Sequence, residues 1–166
     1  MEQSFSHFQI RNPKDDETPI ESATQIFASL LSYPYVPLWR KFLIKPKTFS
    51  FEIYLLSQMT YFYLTAPQES DTFVQSLITA SYPQSVLQKT TDPMGILMKS
   101  KSLAWGEMRL NSYFYFPIKT YFDFKDIAPL SSLVGFLSKQ SPDRRMRVQI
   151  VVTPASFARQ KKAVGA

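Results

Sequence analysis

Few side chains in this sequence are suited to bond chemistry, and none stands in a catalytic pattern. His7 is the only histidine and the chain has no cysteine, which excludes a histidine pair or a thiolate set for a metal. A serine nucleophile needs a base and an orienting acid, yet the sequence has no G-x-S-x-G motif. We therefore expect no enzymatic activity, with no catalytic residue, metal site or cofactor, and we interpret His7 as a surface or strand-edge residue.

Carboxylates cluster at residues 15–17 with Glu21, and again at Asp123 and Asp126. Paired carboxylates can act as general acid and base, or hold Mg²⁺. Both clusters precede an expected helix start, where exposed backbone N–H groups favour negative charge. We interpret them as features of helix starts.

Segment 36–47, VPLWRKFLIKPK, combines apolar and cationic side chains. Tryptophan beside lysine and arginine suits a membrane interface or an acidic partner. The alternative is a loop packed over the sheet with its charges in solvent. We predict an interaction surface formed by Trp39, Arg40, Lys41, Phe42, Lys45 and Lys47.

Aromatic runs at residues 61–63, YFY, and 113–116, YFYF, are compatible with RNA binding, because some sheet proteins stack bases on strand aromatics. The K/R-G-F/Y-G/A-F-V-x-F/Y pattern of such binders does not occur. Alternating aromatics also favour strands that bury one face. Packing within the fold is therefore the first interpretation, and base stacking is the alternative.

The first half of the chain is predicted to form the elements that position these residues. A short strand carries Phe8 and Ile10 on one face. Thr18 can cap a helix that has Pro19 at its first position and Glu21 in a capping box. The apolar face of this first helix is predicted to contain Ile20, Ala23, Phe27 and Leu30.

A hairpin follows, with strands at residues 49–55 and 60–65 on either side of a turn at 56–59. A second helix is expected to end at Tyr82-Pro83, before a strand at residues 85–89. This order of elements predicts an α+β fold with a ferredoxin-like (split βαβ) sheet and both helices on one face, over residues 1–90. The second helix is expected to bury Phe73, Val74, Leu77 and Ile78.

The second half reads as a connector at residues 91–102 and a strand-strand-helix-strand part at 103–154. Its strands are expected at residues 103–110, at the aromatic run 113–116 and at residues 146–152. In the last of these segments, apolar residues alternate with polar ones. This part is either an incomplete second unit or an extension of the first sheet, and residues 155–166 are expected to be a flexible tail. The apolar face of its helix is predicted to contain Leu130, Leu133, Val134 and Leu137.

Composition bounds the class of protein. The 166 residues are 45% hydrophobic and 15% aromatic, which suffices for the core of one domain, or of one domain with an extension. No apolar run is long enough for a membrane span, and the N-terminus lacks the pattern of a signal peptide. We therefore expect a cytoplasmic protein, and its formal charge of +6 allows an acidic protein, nucleic acid or a membrane surface as partner.

One block, PIKTYFDFKDIAPLSSLVGFLSK, is followed by a strand that ends in VVTP. Three further pieces occur earlier in the chain: FQIRNPKDDETPIESATQIFASLL, FSFEIYLLSQMTYFYLTAP and DTFVQSLITASYP. Together they resemble, over about residues 7–154, the N-terminal non-catalytic region of conjugative-transfer, type IV secretion-like ATPases. Those proteins belong to the FtsK–HerA group and occur in small uncultured bacteria.

The resemblance implies a non-catalytic accessory domain that docks a motor ATPase to a membrane channel component or to neighbouring subunits, at the inner face of the membrane. The motor itself needs the phosphate-binding loop G-x-x-x-x-G-K-[ST], and no glycine here is followed by lysine. The chain then corresponds to a stand-alone front domain or to a fragment of a longer reading frame. The alternative function is a single-stranded nucleic-acid-binding module that uses sheet aromatics and basic residues. No small-molecule substrate is evident.

Overall fold

A five-stranded antiparallel sheet organises the computed structural model, which describes residues 4–19, 21–33, 47–99, 102–109, 111 and 131–154. In this part of the chain the strands are β1 (Phe5–Arg11), β2 (Phe49–Leu56), β3 (Met59–Pro67), β4 (Val86–Thr90) and β5 (Met146–Val152). The helices are α1 (Ser22–Leu31), α2 (Asp71–Ser81), α3 (Met94–Leu97) and α4 (Ser131–Ser138), and a 3₁₀ turn spans Gln68–Ser70.

The strand order is β4-β1-β3-β2-β5, and every neighbouring pair is antiparallel. The first four strands, with α1 and α2 in the connections, form the predicted ferredoxin-like arrangement, and the α+β class is confirmed. The fifth strand pairs with β2. Of the two alternatives for the second half, its last strand therefore extends the first sheet.

Both long helices pack on the same face of the sheet. One buried cluster joins Phe8 and Leu64 from the strands to Ile26 and Val74 from the helices. Strand residues two apart share a face, and helix residues three or four apart do the same. The predicted apolar face of α2 is confirmed, because Val74, Leu77 and Ile78 are buried and Phe73 packs against them.

The predicted start of α1 is wrong. The Thr18 hydroxyl and N–H both donate to the Asp16 carboxylate, so Thr18 belongs to a turn around Asp16 and caps no helix. The helix begins at Ser22, three residues after the predicted first position, Pro19. Its buried face contains Ile26 and the predicted Leu30, while Phe27 is half exposed. Of the other predicted face residues, Ala23 is partly buried and Ile20 lies outside the described residues.

The β2–β3 hairpin is tighter than predicted. Its turn contains only Ser57 and Gln58, with φ angles of 50° and 64°. Two consecutive positive φ angles are typical of the type I′ turns that match the twist of paired strands. Such turns usually contain asparagine and glycine, which explains why the residue types here did not indicate a turn of only two residues.

The second half departs from its predicted elements in one place. Residues 103–109 form no strand, and Trp105 and Met108 are exposed. An apolar alternation becomes a strand only where a partner strand satisfies its backbone groups. The helix and last strand of this part are confirmed as α4 and β5, and the connector contains α3. Of the predicted face of α4, Leu137 is buried and Leu133 partly buried, but Val134 is exposed, so the prediction for Val134 is wrong. The aromatic run at 113–116 and the tail at 155–166 lie outside the described residues.

Candidate functional site

Lys47 is the member of the predicted interaction surface that the structure describes. Its Nζ lies 3.1 Å from Glu69 Oε1 and 3.2 Å from the Tyr33 hydroxyl. Burial lowers the pKa of Lys47, but the bonds to Tyr33 and Glu69 outweigh burial and leave that pKa above its ordinary value. The cation therefore contributes to the fold at the start of β2. The rest of this surface, Trp39, Arg40, Lys41, Phe42 and Lys45, lies outside the described residues.

An open cavity of about 720 Å³, here called the apolar cleft, lies between α1 and the sheet. The Phe27 and Phe51 rings meet in it with centroids 5.5 Å apart. Phe27 is 47% exposed and Phe62 is 45% exposed, so two large rings face solvent at its mouth. Its apolar lining includes Ile10, Ile26, Phe27, Phe51, Phe62 and Ile78.

Polar side chains at the rim of the apolar cleft are held by their own hydrogen bonds. Arg11 Nη2 donates to Gln9 Oε1 at 2.9 Å, and Ser85 Oγ donates to Asn12 Oδ1 at 2.7 Å. Within the described ranges Arg11 forms no ion pair with a carboxylate. The rim therefore presents a cation beside an apolar surface.

The opposite side of the sheet is polar. Glu52 is an unusual residue there, since its side chain is 1% exposed, and Arg147 Nη2 lies 3.0 Å from its Oε1. Gln149 Nε2 donates to Ser50 Oγ at 2.7 Å. A second, more polar cavity of about 300 Å³ lies over these residues. The members of this polar sheet face are His7, Ser50, Glu52, Thr65, Arg147 and Gln149.

Tyr54 lies beside this polar sheet face, with its ring fully buried. The ring packs edge-on against Tyr63 at 5.1 Å, and the Arg147 guanidinium lies 5.6 Å from its centroid. Its hydroxyl has no hydrogen-bond partner among the residues that the structure describes. Burial, and then the negative charge of Glu52, raise the pKa of the Tyr54 hydroxyl well above its ordinary value.

The aromatic run of β3 is divided between the two faces. Phe62 lines the apolar cleft on the helix side, whereas Tyr63 is buried with Tyr54 and Leu97 on the other side. Base stacking needs open ring faces, and the mutual burial of Tyr54 and Tyr63 closes two of them. The other predicted aromatic strand is not among the described residues.

The titratable groups that the sequence singled out do not converge. His7 Nδ1 lies 2.9 Å from Thr65 Oγ1 on the polar sheet face. Asp16 is at the other end of β1, and its hydrogen bonds from Thr18 lower the pKa of its carboxyl. In the part of the chain that the structure describes, no three histidine, aspartate or glutamate residues could hold a metal ion. No helix in that part is both long and apolar enough to cross a bilayer.

Sequence reasoning missed the apolar cleft and the Glu52–Arg147 pair. The sequence did contain a signal for a buried ion pair, because Glu52 lies within an apolar strand and glutamate is seldom fully buried without a partner. Its partner is 95 positions later in the chain (147 minus 52) and becomes a neighbour only because β5 joins β2. The cleft contains Phe27 because α1 buries Ile26 and Leu30 and leaves Phe27 half exposed, which the spacing of apolar residues did not indicate.

No curated protein and no solved structure matches this chain. One family model, described as Domain of unknown function (DUF8128), matches residues 1–165. The match spans nearly the whole sequence, and therefore the chain belongs to this family.

Proposed function

We propose that this chain is a non-catalytic docking domain that binds a partner protein through the apolar cleft. The observation that carries the proposal is the pair of half-exposed rings, Phe27 and Phe62, at the mouth of a cavity with apolar walls. Exposed apolar surface of this kind, bordered by polar groups, is typical of protein interaction sites. The resemblance of residues 7–154 to the front region of secretion-like ATPases supports a motor ATPase or a membrane channel component as the partner.

The cleft suits an apolar segment of that partner with an acidic residue beside it. A large apolar side chain gains roughly 1.5–3 kcal/mol on full removal from water. About half of each ring is still exposed, so Phe27 and Phe62 together contribute roughly 2 kcal/mol, which is about a 30-fold change in affinity. Arg11 at the rim forms no ion pair in the described ranges, and an acidic side chain placed there gives charge complementarity.

If the adjacent reading frame encodes a Walker-type ATPase, that ATPase is the binding partner used in the experiment. Calorimetry should show that Phe27→Ser and Phe62→Ser each weaken binding several-fold, and that Arg11→Glu weakens it further at low salt. Met98→Ser is the control, because Met98 is also a large exposed apolar side chain, at 62%, but lies beyond α3. An interaction that is unchanged by the three cleft variants would exclude the cleft as the docking site.

The alternative proposal, single-stranded nucleic-acid binding, is supported by the formal charge of +6. Fluorescence anisotropy with a labelled single-stranded oligonucleotide at two salt concentrations separates the two functions. Tight binding that weakens steeply with salt, together with no affinity for the ATPase, would favour this alternative. The docking function places the protein in the cytoplasm, at the inner face of the membrane.

A further inference from the structure

We infer that β5 is a dimerisation edge, at which two copies of this chain join their sheets antiparallel about a twofold axis through Gln149. The observation is an unprotected edge strand. Among the described residues β5 pairs with β2 alone, in a regular register from Phe49↔Val152 to Leu55↔Met146. Its outer backbone donors and acceptors are therefore available to another strand.

The two edges of the sheet differ in the features that normally prevent edge pairing. The β4 edge is five residues long and carries Lys89, whose ammonium binds Asp71. Short length and lysine are both known protections. By contrast, β5 is seven residues long, has no lysine, proline or bulge, and exposes Ile150 and Val151.

A second copy fits this edge because β5 is complementary to itself. A twofold axis at Gln149 places Val148 opposite Ile150 and Met146 opposite Val152, so all of these pairs are apolar and lie on one face. On the other face Gln149 meets its own copy, and Arg147 lies opposite Val151. Every residue of β5 therefore lies opposite a residue of the second copy, and cross-strand pairs of this kind stabilise sheets.

The positive charge of the chain does not oppose this pairing. Arg147 is already paired with Glu52. Arg145, which precedes the strand, would lie opposite Thr153 of the second copy. The two Arg145 residues are then eight positions apart along the strands, about 27 Å at 3.4 Å per residue. This separation exceeds the Debye length of about 8 Å at physiological salt, so their repulsion is screened.

Cysteine cross-linking tests the axis directly, because the native chain has no cysteine. Residues directly opposite each other in an antiparallel pair have Cα atoms roughly 4.5–5.5 Å apart, which is within disulfide range. Gln149→Cys should therefore form a disulfide dimer under mild oxidation. Met146→Cys should not, since its two copies would be about 20 Å apart, six positions at 3.4 Å each. Val86→Cys, on the β4 edge, is the second control.

Sedimentation equilibrium of the full chain gives the second measurement. The wild type should sediment at twice its mass of 19.2 kDa at tens of micromolar. Ile150→Lys should sediment as a folded monomer, whereas Val86→Lys, at an equally exposed position on the other edge, should remain a dimer. Phe62→Ser should also remain a dimer, because the apolar cleft plays no part in this contact.

Two results would overturn the inference. One is a wild-type monomer at every concentration tested. The other is a Gln149→Cys cross-link no faster than those of the two control cysteines, which would exclude this axis even for a protein that dimerises. If Ile150→Lys fails to fold, the cross-linking comparison still decides.

Discussion

Tyr54 combines a fully buried ring with a hydroxyl that has no hydrogen-bond partner in the described part of the chain. A buried polar group without a partner costs about 1–3 kcal/mol. Tyr54→Phe removes that group and keeps the edge-on contact with Tyr63. At pH 7 we expect the variant to be as stable as the wild type or more stable by about 1 kcal/mol, as measured by urea unfolding. A clear loss of stability would mean that the hydroxyl is hydrogen-bonded in solution.

The same variant predicts a change in pH dependence. Burial, and then Glu52, raise the pKa of Tyr54 above its ordinary value of 10.0. The unfolded chain thus loses this proton above about pH 10 while the folded protein retains it, so stability falls as pH rises beyond that point. Unfolding measured from pH 8 to 11 should show a shallower fall for Tyr54→Phe. Part of the slope should remain, because burial also raises the pKa values of Tyr63 and Tyr82.

Arg147 is the charge that compensates the buried Glu52 carboxylate. Arg147→Met leaves that carboxylate unpaired, and breaking a buried pair from one side costs about 3–5 kcal/mol. The double variant Glu52→Gln, Arg147→Met should recover much of this loss, since no charge then stays buried alone. Urea unfolding of both variants checks the coupling. If the single variant is as stable as the wild type, the pair contributes little to folding.

At the scale of elements, Leu137 is the anchor of α4, with 1% of its surface exposed. Leu137→Ala removes buried contacts and leaves a cavity, so we expect a loss of about 2–5 kcal/mol. Val134→Ala is the matched control on the same helix, because Val134 is exposed and its truncation should cost well under 1 kcal/mol. Equal losses in thermal or urea unfolding would contradict this account of how α4 packs.

Helices and strands with a clear periodicity of apolar residues were predictable from the sequence. Elements whose formation depends on a neighbouring strand or on a competing turn were not. The face of α2 and the alternation of β5 follow from local spacing alone. Residues 103–109, which were also expected to be a strand, form none, because the local sequence does not tell whether a neighbouring strand exists. The start of α1 was predicted wrongly, because Thr18 donates to Asp16 in a turn and does not cap the helix. The apolar cleft depends on which residues of α1 are buried against the sheet, and this packing was equally beyond sequence reasoning.

At the scale of the molecule, the arrangement separates three tasks. The sheet and α1 form the apolar cleft on one side, the polar sheet face holds its charges in internal pairs on the other, and β5 leaves an edge for a second strand. The strand order that creates all three depends on pairing between distant segments, such as β2 with β5. Periodicity predicts the strands but not which edge each will join, which is why the second half of the sequence left two topologies open.

The last prediction concerns nucleotide binding by the whole chain. A phosphate-binding loop needs glycines whose bare backbone N–H groups surround the phosphates, followed by a lysine. The four glycines here are not followed by lysine, and no pair has the required spacing. We therefore expect calorimetry to detect no binding of Mg-ATP and a coupled assay to detect no hydrolysis, with a motor ATPase as the positive control in both. Micromolar affinity for Mg-ATP would contradict the docking proposal, because it would require a nucleotide site of a different construction in a domain proposed to act only by holding its partner.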